Sequence, residues 1–529
     1  MVISKNKFVN LFFIIFILIG IFAYNDYGIS WDEPITRTVG QSSTRYAIEK
    51  IIPSLQLEDA HLIPWLYDFK DKDYGPAFEM PLFLLERFFG LTQAKDVYQF
   101  RHLVTFFAYS AGVMALYLLA IRRYGNWKIG LLAAAFLIFS PRFFAEGFYN
   151  SKDIVFMSAF MIATNTMIAY LCRPNYKALI LHAFATAFAV DIRIMGVLLV
   201  ASTITALLIQ VLKKKIDFRF FLMNLACYLL LTIVFVVMMF PWLWNDPVGH
   251  FIIAFKNMSL FRWSGSVLYL GEFTPATNLP WHYSLVWIAI TTPFIYLALF
   301  LVGSVGVAIQ TLKCGWRLWS DDNQMQDLIF LGLFAAPILA VIVLHSVLYD
   351  GWRQLYFVYP FLLLIAMHGL VSLRSYLANY PFALLVIYLT LAVSLVMTAR
   401  WMYKNHPYQN VYFNFLVKKP IRENFELDYW GLSNRRALEF ILSHDESPKI
   451  NVAAGSWTPL EFSGFMLTAK DRERINLVST DTYPHYLITN YRGVPAKDDA
   501  KVIENYRLVH QIKVDKEAIL SIYRSNRDN

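Results

Sequence analysis

The sequence predicts a polytopic α-helical membrane protein of about eleven spans carrying a small C-terminal α/β domain. Three observations lead there. The chain is 57% apolar and only 16% charged, with a mean hydropathy of +0.45, outside the range of ordinary soluble domains. Apolar runs of roughly 17 to 25 residues, each long enough to cross about 30 Å of hydrocarbon, recur along it. Its net charge of +9 gathers mostly in short loops between those runs, which is the positive-inside pattern and not a nucleic-acid footprint.

The apolar runs fall near 8–24, 101–121, 128–143, 153–172, 178–190, 194–212, 219–240, 284–309, 326–347, 354–372 and 381–399, the fifth being short. Lys5 and Lys7 before the first run imitate a secretory signal. Tyr24-Asn25-Asp26 offers no small-residue cleavage site, so an uncleaved first span is expected. With eleven crossings, Lys5/Lys7, Arg122/Arg123/Lys128, Arg173/Lys177, Lys213/Lys214/Lys215/Arg219, Lys313/Arg317 and Arg374 share one side. The positive-inside rule makes that side cytoplasmic and places the C-terminus outside the cytoplasmic membrane. The opposite side receives the 25–100 segment, the turns near 144–152, 191–193 and 348–353, the 241–283 loop and the tail.

Within 25–100, Thr38–Ile51 and Pro81–Phe89 read as helices lying in the interface plane. The expected division is 1–405 for the membrane domain, including the 25–100 segment, and 406–529 for the tail. In the tail, 449–454, 474–478 and 484–489 read as strands, 433–444 and 498–505 as helices, and 507–514 with 518–523 as a hairpin. Cys172, Cys227 and Cys314 lie in or near apolar runs or a loop on the basic side, which suits neither a disulfide framework nor a metal cluster.

Five charged groups meet on the outer side. Asp32 and Glu33 follow the first span in Gly28-Ile29-Ser30-Trp31-Asp32-Glu33-Pro34. Plain solvated loop acids would look the same, but partial desolvation at an interface raises a carboxylate's pKa and suits it to act as a general base. Asp71-Lys72-Asp73-Tyr74-Gly75-Pro76 sets carboxylates beside a tight turn, and reads equally as an ordinary charged turn. In Asn150-Ser151-Lys152-Asp153, Asp153 opens an apolar run, where a helix-capping role competes with a functional one. Asp191-Ile192-Arg193 interrupts an apolar stretch; a self-paired turn is the alternative to an arginine that grips phosphate. Tyr349-Asp350-Gly351-Trp352-Arg353 again sets Arg beside Asp. No phosphate-cradling Gly-Lys-Ser/Thr loop, dinucleotide fingerprint or nucleophile elbow is present, so an activated substrate must arrive from the membrane.

The Asp-Glu pair, the Tyr-Gly-Pro turn, Asn150-Ser151-Lys152-Asp153 and Arg193-Ile194-Met195-Gly196 resemble family 39-type membrane glycosyltransferases. So do Pro241-Trp242-Leu243-Trp244, Tyr349-Asp350-Gly351-Trp352-Arg353 and His406-Pro407-Tyr408-Gln409. That family has the GT-C fold and includes protein O-mannosyltransferases and the aminoarabinose transferases of lipid A; the resemblance covers roughly 8–440. It implies a polyprenyl-phosphate sugar donor, transfer outside the cytoplasmic membrane to a lipid, glycan or protein acceptor, and inversion at the anomeric carbon. Asp32 matches the family's catalytic position, with Glu33 tuning or orienting it. Asp73 and Tyr74 fall where the aminoarabinose branch has an acid and a Lys-Pro-Pro turn. The lysine is therefore missing, and Arg193, Lys152 or Arg353 are the candidates to bind phosphate in its place. The mannosyltransferase branch's His-Pro-Pro turn is absent too. Whether a divalent cation assists is left open by the sequence; Asp32 and Asp73 are the residues that could hold one. The competing readings are a transporter or flippase for a lipid-linked or anionic solute, and a non-catalytic assembly or receptor subunit. Against transport, the charges sit at one edge and no repeat is visible.

Overall fold

A computed structural model of the chain describes residues 2–55, 57–259, 262–494 and 505–526. Every apolar run is helical, as it must be where no water is present to satisfy backbone N–H and C=O groups. The first elements are α1 (Val2–Ala23), α2 (Glu33–Ile51), α3 (Glu79–Phe88) and α4 (Ala94–Tyr124). There follow α5 (Trp127–Ile138), α6 (Pro141–Tyr149), α7 (Asp153–Cys172), α8 (Tyr176–Ile192), α9 (Val197–Leu212), α10 (Phe218–Met239) and α11 (Pro247–Ser259). A hairpin of β1 (Ser266–Tyr269) and β2 (Glu272–Pro275) precedes α12 (Tyr283–Thr291), α13 (Phe294–Cys314), α14 (Asp322–Val343), α15 (Tyr359–Tyr376) and α16 (Pro381–Lys404).

Among the described residues, eight helices are long and apolar enough to cross a membrane, or nine if one bent pair is a single span. The chain is thus a multi-pass membrane protein, and the eleven apolar runs do not all form full-length spans. The 128–143 run breaks at Pro141 into α5 and α6, which meet at 70°. Proline lacks the N–H that would continue the helix and pushes Ser140 into extended backbone, φ −95° and ψ 102°. Pro293 divides the 284–309 run in the same way, Thr292 being extended at ψ 137°. The 178–190 run forms α8, only 17 residues long.

Two helices form the centre of the bundle: α7 and α15 are its most buried spans, and α16 is the least. The crossing of α13 and α15 is set by two glycines. A Cβ on Gly303 would lie 2.0 Å from the Ile365 carbonyl oxygen, and one on Gly369 would lie 2.1 Å from that of Leu299. Backbones this close require the smallest residue on both sides.

The basic loops share one end of the bundle, where Lys215 pairs with Asp322 at 3.8 Å and Lys213 donates to the Trp319 carbonyl. At the other end lie α2, α3, α11, the first hairpin and the tail. The 25–100 helices form as expected, although α2 begins five residues before Thr38, with Pro34 in its first turn where a missing N–H costs nothing.

The tail folds into α17 (Ser433–His444), β3 (Ile450–Ala454), α18 (Leu460–Gly464), α19 (Ala469–Arg474), β4 (Ile475–Leu477), β5 (Tyr486–Thr489), β6 (Tyr506–Val514) and β7 (Glu517–Ser525). The sheet order is β4-β3-β5-β7-β6, with β3 parallel to β4 and β5 and the remaining pairs antiparallel. All the expected strands form; the expected helix at 498–505 lies almost wholly outside the described residues. The core of this unit begins at Ala437 and Leu438 and runs through Val452, Ile488 and Ile522. Residues between the last span and α17 belong to the bundle's core instead, with Tyr429 and Trp430 fully buried in it.

Candidate active site

Arg353 is the hub on which the charged groups converge. It is buried at the start of the short helical turn Arg353–Val358 that leads into α15. One guanidinium nitrogen, Nη1, donates to Asp32 Oδ2 at 2.8 Å and to Asp153 Oδ2 at 3.1 Å. The other, Nη2, pairs with Asp350 Oδ2 at 3.2 Å. The rings of Trp430 and Tyr349 lie 4.6 and 4.8 Å from the guanidinium carbon, covering its faces. A guanidinium meeting three carboxylates and two aromatic faces uses the planar fork that lysine lacks. Asp350 takes the left-handed conformation, φ +56°, that Asp accepts more readily than branched residues.

The elements explain why the charges meet. Asp32 sits at the N-terminus of α2, but its carboxylate does not cap that helix because Arg353 holds it. Asp153 opens α7; its N–H donates to Asn150 Oδ1 at 2.8 Å, while its Oδ1 pairs with Arg193 and its Oδ2 with Arg353. Arg193 is the extended residue between α8 and the turn into α9. The Tyr74-Gly75-Pro76 turn lies flat on the end of α8, where a Cβ on Gly75 would be 1.7 Å from the Asp191 carbonyl oxygen. Asp191 Oδ1 accepts from the Ala77 N–H at 2.7 Å and fixes the turn. Tyr74 thereby sits under Lys152, whose ammonium is 3.3 Å from the ring centroid.

A cavity of ≈ 250 Å³ opens over this cluster, lined by Trp31, Asp32, Asp71, Tyr74, Lys152 and Tyr349 among others. Next to it lies an apolar cavity of ≈ 200 Å³ lined by residues of α9, α11 and α14, including Met195, Leu198, Phe255, Pro337 and Leu344. The two share Tyr74 and Tyr349, and Arg193 lines the apolar one. Lys152 makes no ion pair within 4 Å among the described residues, so its charge is available to the first cavity.

Electrostatics corrects one expectation. Burial pushes the Asp32 carboxyl up, but Arg353, Lys152 and Arg193 together outweigh it and hold the group below the usual carboxylate range. The resting Asp32 is an ionised, weakened base and not one strengthened by desolvation. Lys152 moves the other way: burial, with Arg193 beside it, overcomes the attraction of Asp32 and Asp153 and brings its ammonium down to about 7.

Of the eight candidates, Asp32, Tyr74, Lys152, Asp153, Arg193 and Arg353 come together. Glu33 does not join them: it is buried beneath the cavity, accepting from the Ser30 N–H at 2.7 Å and lying 2.9 Å from His102 Nε2. Asp73 faces away as well, accepting from Asn257 at 2.7 Å and Arg262 at 2.8 Å. Asp32 and Asp73 are therefore each neutralised by a different arginine, and no group of three or more His, Cys, Asp or Glu among the described residues is placed to hold a metal ion. The three cysteines are free.

Sequence reasoning missed Arg492. It reaches from the loop after β5 into the bundle, pairs with Asp350, donates to the Tyr429 carbonyl at 2.6 Å and stacks 4.0 Å from the Trp31 ring. Nothing in Asn490-Tyr491-Arg492-Gly493 marks it beforehand. It missed Glu79 too, which accepts from Ser151 at 2.6 Å and pairs with Arg101, itself 2.6 Å from Glu86. The signal was present there, in two acids on the amphipathic α3 and one arginine inside an apolar run.

No protein-family model matches the chain, and no curated protein sequence matches it. Among solved structures it is similar to ArnT from Cupriavidus metallidurans, both bound to undecaprenyl phosphate and in the apo state. Each is 12% identical, with a TM-score of 0.49 and 98% of either chain covered. It is also similar to the Archaeoglobus fulgidus oligosaccharyltransferase, a complex with Zn and sulfate. Identity there is 12% and the TM-score 0.44, over 79% of this chain and 59% of the other.

Proposed function

We propose that the chain is a GT-C-type membrane glycosyltransferase that moves a sugar from a polyprenyl-phosphate donor to an acceptor hydroxyl, with inversion, on the outer face of the cytoplasmic membrane. The observation that carries the reading is the junction of the two cavities. An apolar channel among spanning helices meets a polar chamber at Tyr74 and Tyr349, with Arg193 on one side and Lys152 on the other. That arrangement suits a lipid phosphate: the chain lies along α9 and α14, and the phosphate sits between the two cations.

In the reaction, the acceptor oxygen attacks the anomeric carbon from the face opposite the phosphate. Its proton passes to Asp32 Oδ1, which has no hydrogen-bond partner among the described residues, while Oδ2 stays on Arg353. The bond between the anomeric carbon and the phosphate oxygen breaks, and Lys152 and Arg193 stabilise the charge that develops there. Bound phosphate also offsets the cations that depress the Asp32 pKa, so the base strengthens when the donor is in place. Arg353 orients Asp32, and Asp350 and Arg492 hold Arg353. Glu33 fixes the Ser30–Glu33 turn ahead of α2 and touches neither substrate. The tail contributes by bracing the outer loops through Arg492.

Purified protein supplied with radiolabelled polyprenyl-phosphate sugars should release polyprenyl phosphate. Absence of turnover with any such donor, together with solute uptake into vesicles, would favour transport instead.

A further inference from the structure

At the end of the bundle opposite the candidate active site, α4, α5, α14 and α15 enclose a cavity of ≈ 510 Å³. Its lining includes Arg122, Arg123, Asn126, Asn323, Arg374 and Ser375, with no Asp or Glu among the lining residues. Arg123 is held rigidly from behind: Nε and Nη2 donate to the two oxygens of buried Asp327 at 2.6 and 2.5 Å, leaving Nη1 without a hydrogen-bond partner among the described residues. Arg122 donates through Nη1 to the Asn165 carbonyl at 2.7 Å, which leaves its other nitrogens in the same condition. Arg374 makes no ion pair or hydrogen bond among the described residues. Asn126 spends its oxygen on the Lys128 N–H, 2.9 Å away, so its amide NH2 remains to donate. The cavity thus presents donors and positive charge, with one of its three guanidiniums neutralised.

Solvated positive-inside arginines would point separately into water. These converge on one concavity from two helix ends, and apolar surface runs away from it toward the hydrocarbon. Ile129 and Val371 supply apolar lining to the cavity, and Leu118, one turn before Arg122 on the same face of α4, is 48% exposed. Tyr376 and Tyr380, exposed beside Arg374, occupy the level at which aromatic rings mark a membrane interface. A phosphate above an apolar flank is the shape of a lipid headgroup, and basic pockets between spanning helices accept such groups.

We propose that this cavity binds the phosphodiester of an anionic glycerophospholipid, with its acyl chains along α4 and α15. The binding is independent of the reaction proposed above; only its assignment to the cytoplasmic leaflet rests on the orientation proposed there.

The test is native mass spectrometry of the full-length protein in detergent, titrated with palmitoyl-oleoyl phosphatidylglycerol and, separately, with the matching phosphatidylcholine. The wild-type protein should retain the anionic lipid preferentially. Arg122→Gln/Arg374→Gln should weaken that retention about twenty-five-fold, at about fivefold per surface arginine. The control Arg173→Gln/Lys177→Gln, which removes basic residues of the same end outside the cavity, should leave it unchanged. Should the double variant fail to fold, Arg374→Gln alone, an exposed residue, should still show about a fivefold loss. Equal retention of both lipids, undiminished retention by the cavity variants, or an equal loss in the control would overturn the proposal. Displacement of the lipid by soluble glycerophosphoglycerol at equal concentration would overturn the lipid assignment in favour of a free-anion pocket.

Discussion

At Arg353, a single nitrogen serves both Asp32 and Asp153 while its neighbour holds Asp350, so removing the side chain takes from Asp32 its ion-pair partner and leaves buried Asp153 and Asp350 with Arg193 and Arg492 alone. Breaking a buried ion pair by deleting one partner costs about 3–5 kcal/mol. Arg353→Ala should therefore lower thermal stability in detergent, whereas Asp73→Asn, outside the cluster, should leave the cavity intact. Lys152 yields a pH prediction. An unfolded lysine titrates near 10.4, and here the group titrates at about 7. Between those values the unfolded chain binds more protons, so this group makes the apo protein more stable as pH rises from about 7 toward 10. Donor phosphate prefers the charged ammonium, so donor affinity should fall as pH rises above about 7. Lys152→Arg should flatten that dependence, which titration of donor binding at several pH values would show.

At the scale of elements, the crossing of α13 and α15 depends on Gly303 and Gly369 facing opposing carbonyls at 2.0 and 2.1 Å from a virtual Cβ. Gly369→Val should separate the helices and reduce the yield of folded, monodisperse protein, measured by size-exclusion chromatography. Much of this scale was readable beforehand. Apolar length alone marks a helix that must satisfy its own backbone, and the short apolar runs of the tail, bounded by polar and turn residues, mark its strands. What hid were local breaks: Pro141 and Pro293 lie inside continuous apolar runs, and composition does not reveal whether a proline bends a span by 70° or is absorbed, as Pro337 is within α14. The β1–β2 hairpin escaped notice because its strands are only four residues long. The site was legible as residue types and sides, since charges at the ends of apolar runs are conspicuous. Its pairings were not, because Glu33 beside His102 and Asp73 beside Arg262 depend on packing between segments about 70 and 190 residues apart in sequence.

For the whole molecule, the tail is tied to the bundle through Arg492, which sits 142 residues after Asp350 yet pairs with it behind Arg353. Arg492→Gln should loosen the orientation of Asp32 without unfolding the sheet, reducing turnover while the tail's protease resistance persists. The proposed orientation predicts that a reporter fused after Asn529 lies outside the cytoplasm. The most direct test of the account is polyprenyl phosphate release by Asp32→Asn, measured with a labelled polyprenyl-phosphate sugar on which the wild-type protein is active. Loss of a general base should slow release by a factor on the order of 10²–10⁴, with stability and donor binding retained. Release at the wild-type rate from a folded Asp32→Asn variant would contradict the account.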